Sequence, residues 1–232
     1  MSIDNKDRLI FALDVPEAGR AKELVLELGD SISFYKIGME LMMTGDYFDL
    51  LDWLVKKKKN VFVDLKLFDV PATVSKAVKR LSKRGAYFTT IHGNQSMMEA
   101  AAAEKGDLKI LAVTALTSLD QGDLNDMGFT CDVQELVVSR AKRALSSGCD
   151  GIVASGLELE HIRNEVDQKL VIVTPGIRPV LNRPTDDQKR VVTVEQAFQW
   201  GADYIVVGRP IKNATNPKEA AELIQESITN SI

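Results

Sequence analysis

Short runs of consecutive apolar residues recur along the chain, and many end in a polar residue. Eight of these runs are candidate strands: 9–14, 34–36, 61–66, 87–92, 110–114, 151–154, 170–174 and 204–208. Helix-length segments, most with apolar residues three or four positions apart, lie between them: 17–28, 47–58, 72–83, 96–105, 133–147, 157–166, 193–200 and 217–227. Uninterrupted apolar strands that alternate with amphipathic helices indicate a parallel sheet covered by helices. Eight such units predict a closed (β/α)8 TIM barrel with its active site at the C-terminal face of the strands; an open doubly wound sheet is the alternative.

Turn and loop residues agree with this division. Pro16 and Pro71 lie near predicted helix starts, and several glycines follow predicted helices. No linker or low-complexity segment interrupts the pattern, so we predict one domain over residues 1–232. Two loops are longer than the others, 117–130 and 176–192. Long loops at the C-terminal face of a barrel are typical substrate-covering elements, and the proline-containing second loop is a candidate lid.

Composition narrows the class of protein. The formal charge of −4 over 232 residues gives no global field that would attract nucleic acid or an anionic membrane, so any anion site must be local. Cys131 and Cys149 form neither a CxxC motif nor a disulfide framework, which favours a reducing compartment. The N-terminus is polar, and eighteen apolar residues never run together. We therefore expect a cytoplasmic protein without a signal peptide or a membrane span.

Charged residues occupy the ends of three consecutive predicted strands. Asp14 ends the first, Lys36 ends the second, and Asp64 with Lys66 ends the third. Because side chains alternate along a strand, Asp64 and Lys66 should project to the same face. Burial of such charges is unfavourable unless they pair, so an Asp–Lys–Asp–Lys chain that leaves one edge for a ligand is the functional interpretation. A structural ion-pair network, or solvated strand ends, is the alternative.

Two further polar positions are ambiguous on local grounds. Asp69 lies beyond the third strand, where it is a candidate for the charge cluster but could equally cap the helix near Ala72, with Thr73 contributing. His92 ends the fourth strand and could serve as an acid or base, although a histidine that completes a hydrogen-bond network is as good an explanation. We leave His92 out of the catalytic set.

A candidate phosphate site follows the last two strands. Gly208 and Arg209 follow strand eight, and Arg178 follows Gly176 after strand seven. In TIM barrels the loops after strands seven and eight commonly bind phosphate through backbone N–H groups, and arginine adds bidentate recognition. The alternative is that these glycines are turn residues and the arginines are surface residues.

The segment 64–73, DLKLFDVPAT, resembles the signature of the orotidine 5′-monophosphate decarboxylase family, a DxKxxD pattern followed by a proline and a threonine. A bare DxKxxD is a weak signal, but the similarity covers nearly the whole chain. It includes the segments 13–14, 35–38, 116–118, 174–179 and 207–210, together with Gln188. The ordered set is a strong signal.

This resemblance implies decarboxylation of a 6-carboxylated uracil nucleotide. Lys66 would donate a proton to C6, and Asp64 would lie close to the substrate carboxylate. Lys36 and Asp69 would hold the charge cluster in place. Asp69 and Thr73 would come from the neighbouring subunit of a homodimer.

The resemblance also assigns the substrate contacts. Asp14 and Lys36 would bind ribose hydroxyls, and Thr117 would help to close over the base or ribose. Gln188, in the candidate lid, would touch both the pyrimidine and the phosphate.

Two other functions remain open at this stage. No metal, pyridoxal or thiamine motif is evident, so we expect no cofactor. Sugar-phosphate enzymes of the same superfamily share the barrel and the DxKxxD motif, but use magnesium and place a glutamate ligand after strand two, where this chain has Lys36. A catalytically silent phosphate-binding barrel is the other alternative, because a fold alone does not imply an activity.

Overall fold

The strands form a single closed sheet in the computed structural model, which describes residues 3–178 and 191–232. Their bounds are β1 (Leu9–Ala12), β2 (Phe34–Gly38), β3 (Asn60–Leu67), β4 (Phe88–His92), β5 (Lys109–Val113), β6 (Gly151–Val153), β7 (Val171–Thr174) and β8 (Tyr204–Val207). Each strand pairs in parallel with the next along the chain, and β8 pairs with β1. The (β/α)8 barrel is therefore confirmed, and the open sheet is not formed.

Helices cover the outside of the barrel. They are α1 (Ala18–Leu28), α2 (Met39–Met42), α3 (Tyr47–Lys56), α4 (Pro71–Leu81), α5 (Gln95–Glu104), α6 (Gln121–Asp126), α7 (Val133–Ser146), α8 (Leu159–Glu165), α9 (Val194–Gln199), α10 (Arg209–Lys212) and α11 (Pro217–Asn230). Within the described ranges, none of them has the length and apolar character needed to cross a membrane.

Three of these helices, α2, α6 and α10, were not expected from the sequence pattern. Helices α2 and α10 have only four residues each, and α6 has one apolar residue, Leu124, among its six, so none of them can show an apolar period. In α6, Asp120 and Asp123 form a reciprocal capping box, so the long loop 117–130 is partly helical.

Two apolar layers surround the sheet. The larger lies between the strands and the helices, and the smaller fills the inside of the barrel. Aromatic rings dominate the inner layer: Phe34 stacks on Phe88 with ring centroids 5.4 Å apart, and Tyr204 meets both rings edge-on. The barrel is thus a packed core and not a pore, so polar groups are accommodated at its C-terminal mouth.

Strand β3 is irregular where the charged residues lie. It pairs with β4 at Val63–Thr89 and next at Leu67–Ile91, so three residues of β3 lie opposite Thr90 alone. Within this bulge Lys66 has a φ of 47°, a left-handed conformation that is unusual for a non-glycine residue. Simple alternation along a regular strand, the basis of the sequence prediction for this region, does not describe its backbone.

Candidate active site

A cavity of about 250 Å³ opens at the C-terminal ends of the strands. Ala12, Phe62, Val153 and Val206 of the inner apolar layer contribute to its lining. Eight residues predicted from the sequence also line it: Asp14, Lys36, Asp64, Lys66, Thr117, Arg178, Gly208 and Arg209. The barrel therefore gathers one group of side chains from positions spread across nearly two hundred residues of sequence.

Four of these side chains form a charge row, Asp14–Lys36–Asp64–Lys66. The Lys36 ammonium donates to Asp14 Oδ1 at 2.9 Å and lies 3.5 Å from Asp64 Oδ2. The Lys66 ammonium donates to both carboxylate oxygens of Asp64 at 2.9 Å. Opposite charges therefore alternate along the row, and each charge has at least one partner of the opposite sign.

Burial and ion pairing shift the pKa values of Lys36 and Asp64, the two middle members of the charge row, in opposite directions. The side chains of Lys36 and Asp64 are only 12% and 11% exposed, whereas that of Asp14 is 50% exposed. Burial alone would raise the pKa of Asp64, but attraction to Lys36 and then to Lys66 outweighs it, so this pKa lies below its usual value. Burial would likewise lower the pKa of Lys36, but Asp64 and Asp14 raise it. Both groups are therefore charged at neutral pH.

The cavity-lining residues that follow strands β7 and β8 form the candidate anion site. Gly208 leads into the short helix α10, which begins at Arg209. A Cβ at Gly208 would lie 3.4 Å from the Cβ of Ala12, an ordinary van der Waals contact with the end of β1. Arg178 donates to the Ile177 carbonyl at 2.9 Å and also lines the cavity. Two arginines and a glycine from the ends of two neighbouring strands thus line the same cavity.

The candidate lid is described only at its ends. The Arg178 N–H donates to the Val192 carbonyl at 2.9 Å, and an isolated bridge joins Ile177 to Val192. Residues 179–190 lie outside the described residues, and so does Gln188. The contacts predicted for Gln188 therefore stay a prediction.

Asp69 and Thr73 do not line the cavity of their own chain. They line a second groove of about 480 Å³, which shares Lys66 and Leu116 with the cavity. Asp69 is exposed, and its Oδ1 accepts a hydrogen bond from the Val70 N–H. Helix α4 has Val70 as its N-cap residue without a side-chain cap, so the capping interpretation of Asp69 is wrong.

His92 also borders this second groove. Its ring lies 4.7 Å from that of Phe68, measured between centroids. Burial, and then the positive charges of Arg140 and Lys66, lower its pKa below the usual value. His92 is thus uncharged at neutral pH and lies outside the cavity lining, which agrees with leaving it out of the catalytic set.

Sequence reasoning missed two residues that contact the charge row. Lys212, in α10, lines the cavity and donates to the Asp14 carbonyl at 2.6 Å. Thr90, in the middle of β4, donates to Asp64 Oδ1 at 2.9 Å. No local signal distinguishes either one, because a lysine in a short helix and a threonine in a strand are both ordinary.

The donor set bears on which ligands the site could hold. Within residues 3–178 and 191–232, no cluster of three or more His, Cys, Asp or Glu side chains could hold a metal ion. In the charge row each carboxylate instead faces a lysine ammonium. This arrangement suits an anionic organic ligand better than a divalent cation.

Comparisons with known proteins agree with this geometry. A protein of Methylococcus capsulatus named orotidine 5′-phosphate decarboxylase is 66% identical over 222 residues, 96% of this chain and 92% of the relative. One of the same name from Stenotrophomonas maltophilia is 51% identical over 235 residues, 100% of this chain and 97% of the relative. The crystal structure of orotidine 5′-phosphate decarboxylase from Lactobacillus acidophilus superposes with a TM-score of 0.85 at 34% identity, covering 96% of this chain and 99% of that one.

The family model described as "Orotidine 5'-phosphate decarboxylase / HUMPS family" matches residues 7–224. This match includes every strand of the barrel and all four members of the charge row. Sequence, fold and site geometry therefore agree, and the chain belongs to the orotidine 5′-phosphate decarboxylase / HUMPS family.

Proposed function

We propose that this enzyme is a carboxy-lyase that converts orotidine 5′-monophosphate to uridine 5′-monophosphate and CO2, the last step of de novo pyrimidine nucleotide biosynthesis. The charge row carries this proposal, because it places a lysine ammonium and a largely buried carboxylate in a cavity whose lining also includes two arginines. Relatives that are 51–66% identical and bear the name of this activity support it.

The proposed chemistry uses only side chains of the charge row. The bond between C6 and the carboxylate breaks, its electron pair stays at C6, and CO2 leaves. The Lys66 ammonium stabilises the developing negative charge and then donates its proton to C6. Asp64 holds that ammonium through both of its oxygens, and its lowered pKa keeps it anionic next to the substrate carboxylate. Repulsion between these two carboxylates is relieved when CO2 departs.

We assign the remaining lining residues to substrate binding. Arg209, Arg178 and the backbone at Gly208 would hold the phosphate, which agrees with the usual place of phosphate in TIM barrels. Asp14 and Lys36 would contact ribose hydroxyls, and the half-exposed carboxylate of Asp14 is suited to this.

Contacts to the base would complete the substrate site. Thr117 lines the cavity at the start of the loop after β5. Gln188 would reach the pyrimidine and the phosphate from the lid. Binding energy from the distant phosphate would then be used to organise the charge row around C6.

We further propose a homodimer in which Asp69 and Thr73 serve the partner's cavity. Both are exposed and line the second groove instead of their own cavity, and Asp69 forms no salt bridge among the described residues. Phe68 and Val70, which flank Asp69, are each 63% exposed although both are apolar. An interface at this groove would cover those two side chains and bring Asp69 to a second charge row.

The magnesium-dependent sugar-phosphate alternative is not favoured. A divalent cation needs oxygen ligands, but Lys36 brings an ammonium between Asp14 and Asp64. Its raised pKa keeps that ammonium charged, which repels a metal.

One assay separates the three functions. The consumption of orotidine 5′-monophosphate is measured from the fall in its ultraviolet absorbance. We expect the purified protein to consume it at the same rate with and without excess EDTA. The variant Lys66→Met should bind the nucleotide but show no turnover. Inhibition by EDTA would support the metal-dependent alternative, and nucleotide binding without turnover by the wild-type protein would support the silent barrel.

Mixed dimers test the shared site. Lys66→Ala and Asp69→Ala homodimers should both be inactive, but after subunit exchange a hybrid dimer has one site with neither lesion. We expect the mixture to recover activity up to about a quarter of the wild-type value, because about half of the dimers are hybrids with one intact site. No recovery after verified exchange would place Asp69 in its own chain's site.

We propose that residues 1–232 form one domain, which the closure of all described strands into one barrel supports. We propose a cytoplasmic location, because this is where an enzyme of nucleotide biosynthesis would operate.

A further inference from the structure

Thr90 lies at the point where β3 departs from regular pairing. Its side chain is fully buried, and it is the single residue of β4 that lies opposite Asp64, Leu65 and Lys66 in the bulge. Thr90 is 0% exposed and is not among the cavity-lining residues, so its hydroxyl is not open to a substrate bound there. Any influence on the reaction must act through the residues that it touches.

The Thr90 hydroxyl uses both of its hydrogen-bonding roles on the charge row. It accepts a hydrogen bond from the Lys66 main-chain N–H at 2.9 Å. It donates its one proton to Asp64 Oδ1 at 2.9 Å. One hydroxyl therefore joins the backbone of the proposed proton donor to the carboxylate that holds its ammonium.

The backbone of Lys66 requires such support. With a φ of 47°, Lys66 adopts a conformation that L-residues avoid, and such a conformation persists only when the surrounding structure holds it. The bond to Thr90 fixes the N–H of this strained residue, and the bonds from Lys66 Nζ to Asp64 fix the other end of its side chain.

We propose that Thr90 is a positioning residue for the decarboxylation: it holds Lys66 in its left-handed conformation and orients Asp64, so that the ammonium is aimed at C6. This inference rests on the proposed function. A displacement of the proton donor by about 1 Å is enough to lower a rate by about 100-fold, so a hydroxyl that never touches substrate can control turnover.

The neighbouring residue provides a matched control. Thr89 is also fully buried in β4, but its hydroxyl donates to the Val63 carbonyl at 3.0 Å and does not reach the charge row. Thr89→Val and Thr90→Val therefore remove the same group from adjacent buried positions. Only the second change removes a contact to Asp64 and Lys66.

The test compares kcat, KM and the urea midpoint of wild type, Thr90→Val, Thr90→Ser and Thr89→Val. Because a hydrogen bond to a charged group is lost, we expect Thr90→Val to lower kcat by at least about 10-fold while KM changes by less than about 3-fold. Thr90→Ser, which keeps the hydroxyl, should return kcat to within about 3-fold of wild type, since the one missing methyl group has only a packing effect. Thr89→Val should lower the urea midpoint with kcat within about 3-fold of wild type.

Several results would overturn this role. Wild-type kcat in Thr90→Val, an equal loss of kcat in Thr89→Val, or no recovery in Thr90→Ser each contradicts it while the proposed function stands. Absence of turnover in the wild-type protein would overturn the proposed function, and the Thr90 role with it. If Thr90→Val does not fold, Thr90→Cys takes its place, because a thiol is of similar size but forms only weak hydrogen bonds. Thr90→Cys should also lower kcat, and a wild-type kcat in this variant would refute the proposal.

Discussion

Replacing Asp64 with asparagine removes the anion that lies between two lysine ammonium groups. The wild-type carboxylate is 2.9 Å from Lys66 Nζ and 3.5 Å from Lys36 Nζ. At an effective dielectric constant of about 20, these two contacts amount to roughly 10 kcal/mol of attraction. Most of this offsets the desolvation of the three charges, and the loss of one partner from a buried pair lowers stability by about 3–5 kcal/mol. We expect Asp64→Asn to lower the free energy of unfolding by that amount at pH 7.

The pH dependence of the stability difference between wild type and Asp64→Asn shows whether the Asp64 carboxylate causes that difference. Because the folded-state pKa of Asp64 is depressed, its contribution is complete above the unfolded value of about 3.8 and is lost as the pH falls through the lower folded value. The difference between wild type and Asp64→Asn should therefore be constant from pH 7 to about pH 5 and narrow only below about pH 4. The amide oxygen can still accept the Thr90 hydrogen bond, so the comparison isolates the charge.

The assay is urea unfolding followed by circular dichroism at a fixed protein concentration, from pH 7 to the lowest pH at which both proteins fold. Glu165→Gln is the control, because Glu165 pairs with Lys142 at 2.7 Å but both side chains are about half exposed. This change should lower stability by less than about 1 kcal/mol. The reasoning would be refuted if Asp64→Asn lost no more stability than Glu165→Gln, or if the stability difference between wild type and Asp64→Asn narrowed above pH 6.

The remaining predictions concern the phosphate side of the cavity. Arg209→Ala should lower kcat/KM by about 10- to 100-fold through the loss of a charged hydrogen bond to phosphate. Arg20→Ala, at an exposed position of α1, should not change it, and equal kinetics for the two variants would contradict the phosphate assignment. Lys212→Met should lower kcat/KM by about 10-fold, because the bond that ties α10 to the Asp14 carbonyl is lost. Lys218→Met, on α11, is the control for Lys212→Met. Equal steady-state kinetics for the two variants would show that the hydrogen bond from Lys212 to the Asp14 carbonyl has no functional role.

Much of the fold was predictable from the chain because its signals are local. A buried parallel strand needs an apolar run and an amphipathic helix needs a three-to-four spacing, and both can be recognised within ten to fifteen residues. The same reasoning located the charges, since a packed barrel interior leaves its mouth as the place where Asp14, Lys36 and Lys66 can be accommodated. Helix α6 was missed because it has a single apolar residue among its six, which gives no periodic signal.

The geometry of the site depended on contacts between distant segments. Nothing in the sequence around Asp64 indicates that three residues of β3 lie opposite one of β4, or that the Thr90 hydroxyl, 26 residues away, joins Asp64 to Lys66. Lys212 is 198 residues from the carbonyl to which it donates.

The sequence by itself thus determined the alternation of strands and helices and the identity of the charged groups, since these follow from local hydrophobic periodicity and residue chemistry. Only the tertiary structure decided that the sheet closes, which carboxylate pairs with which lysine, and that Asp69 lines a second groove and not the cavity. The physical reason is that strand register, side-chain pairing and burial are set by packing across the barrel, which a local sequence pattern does not specify.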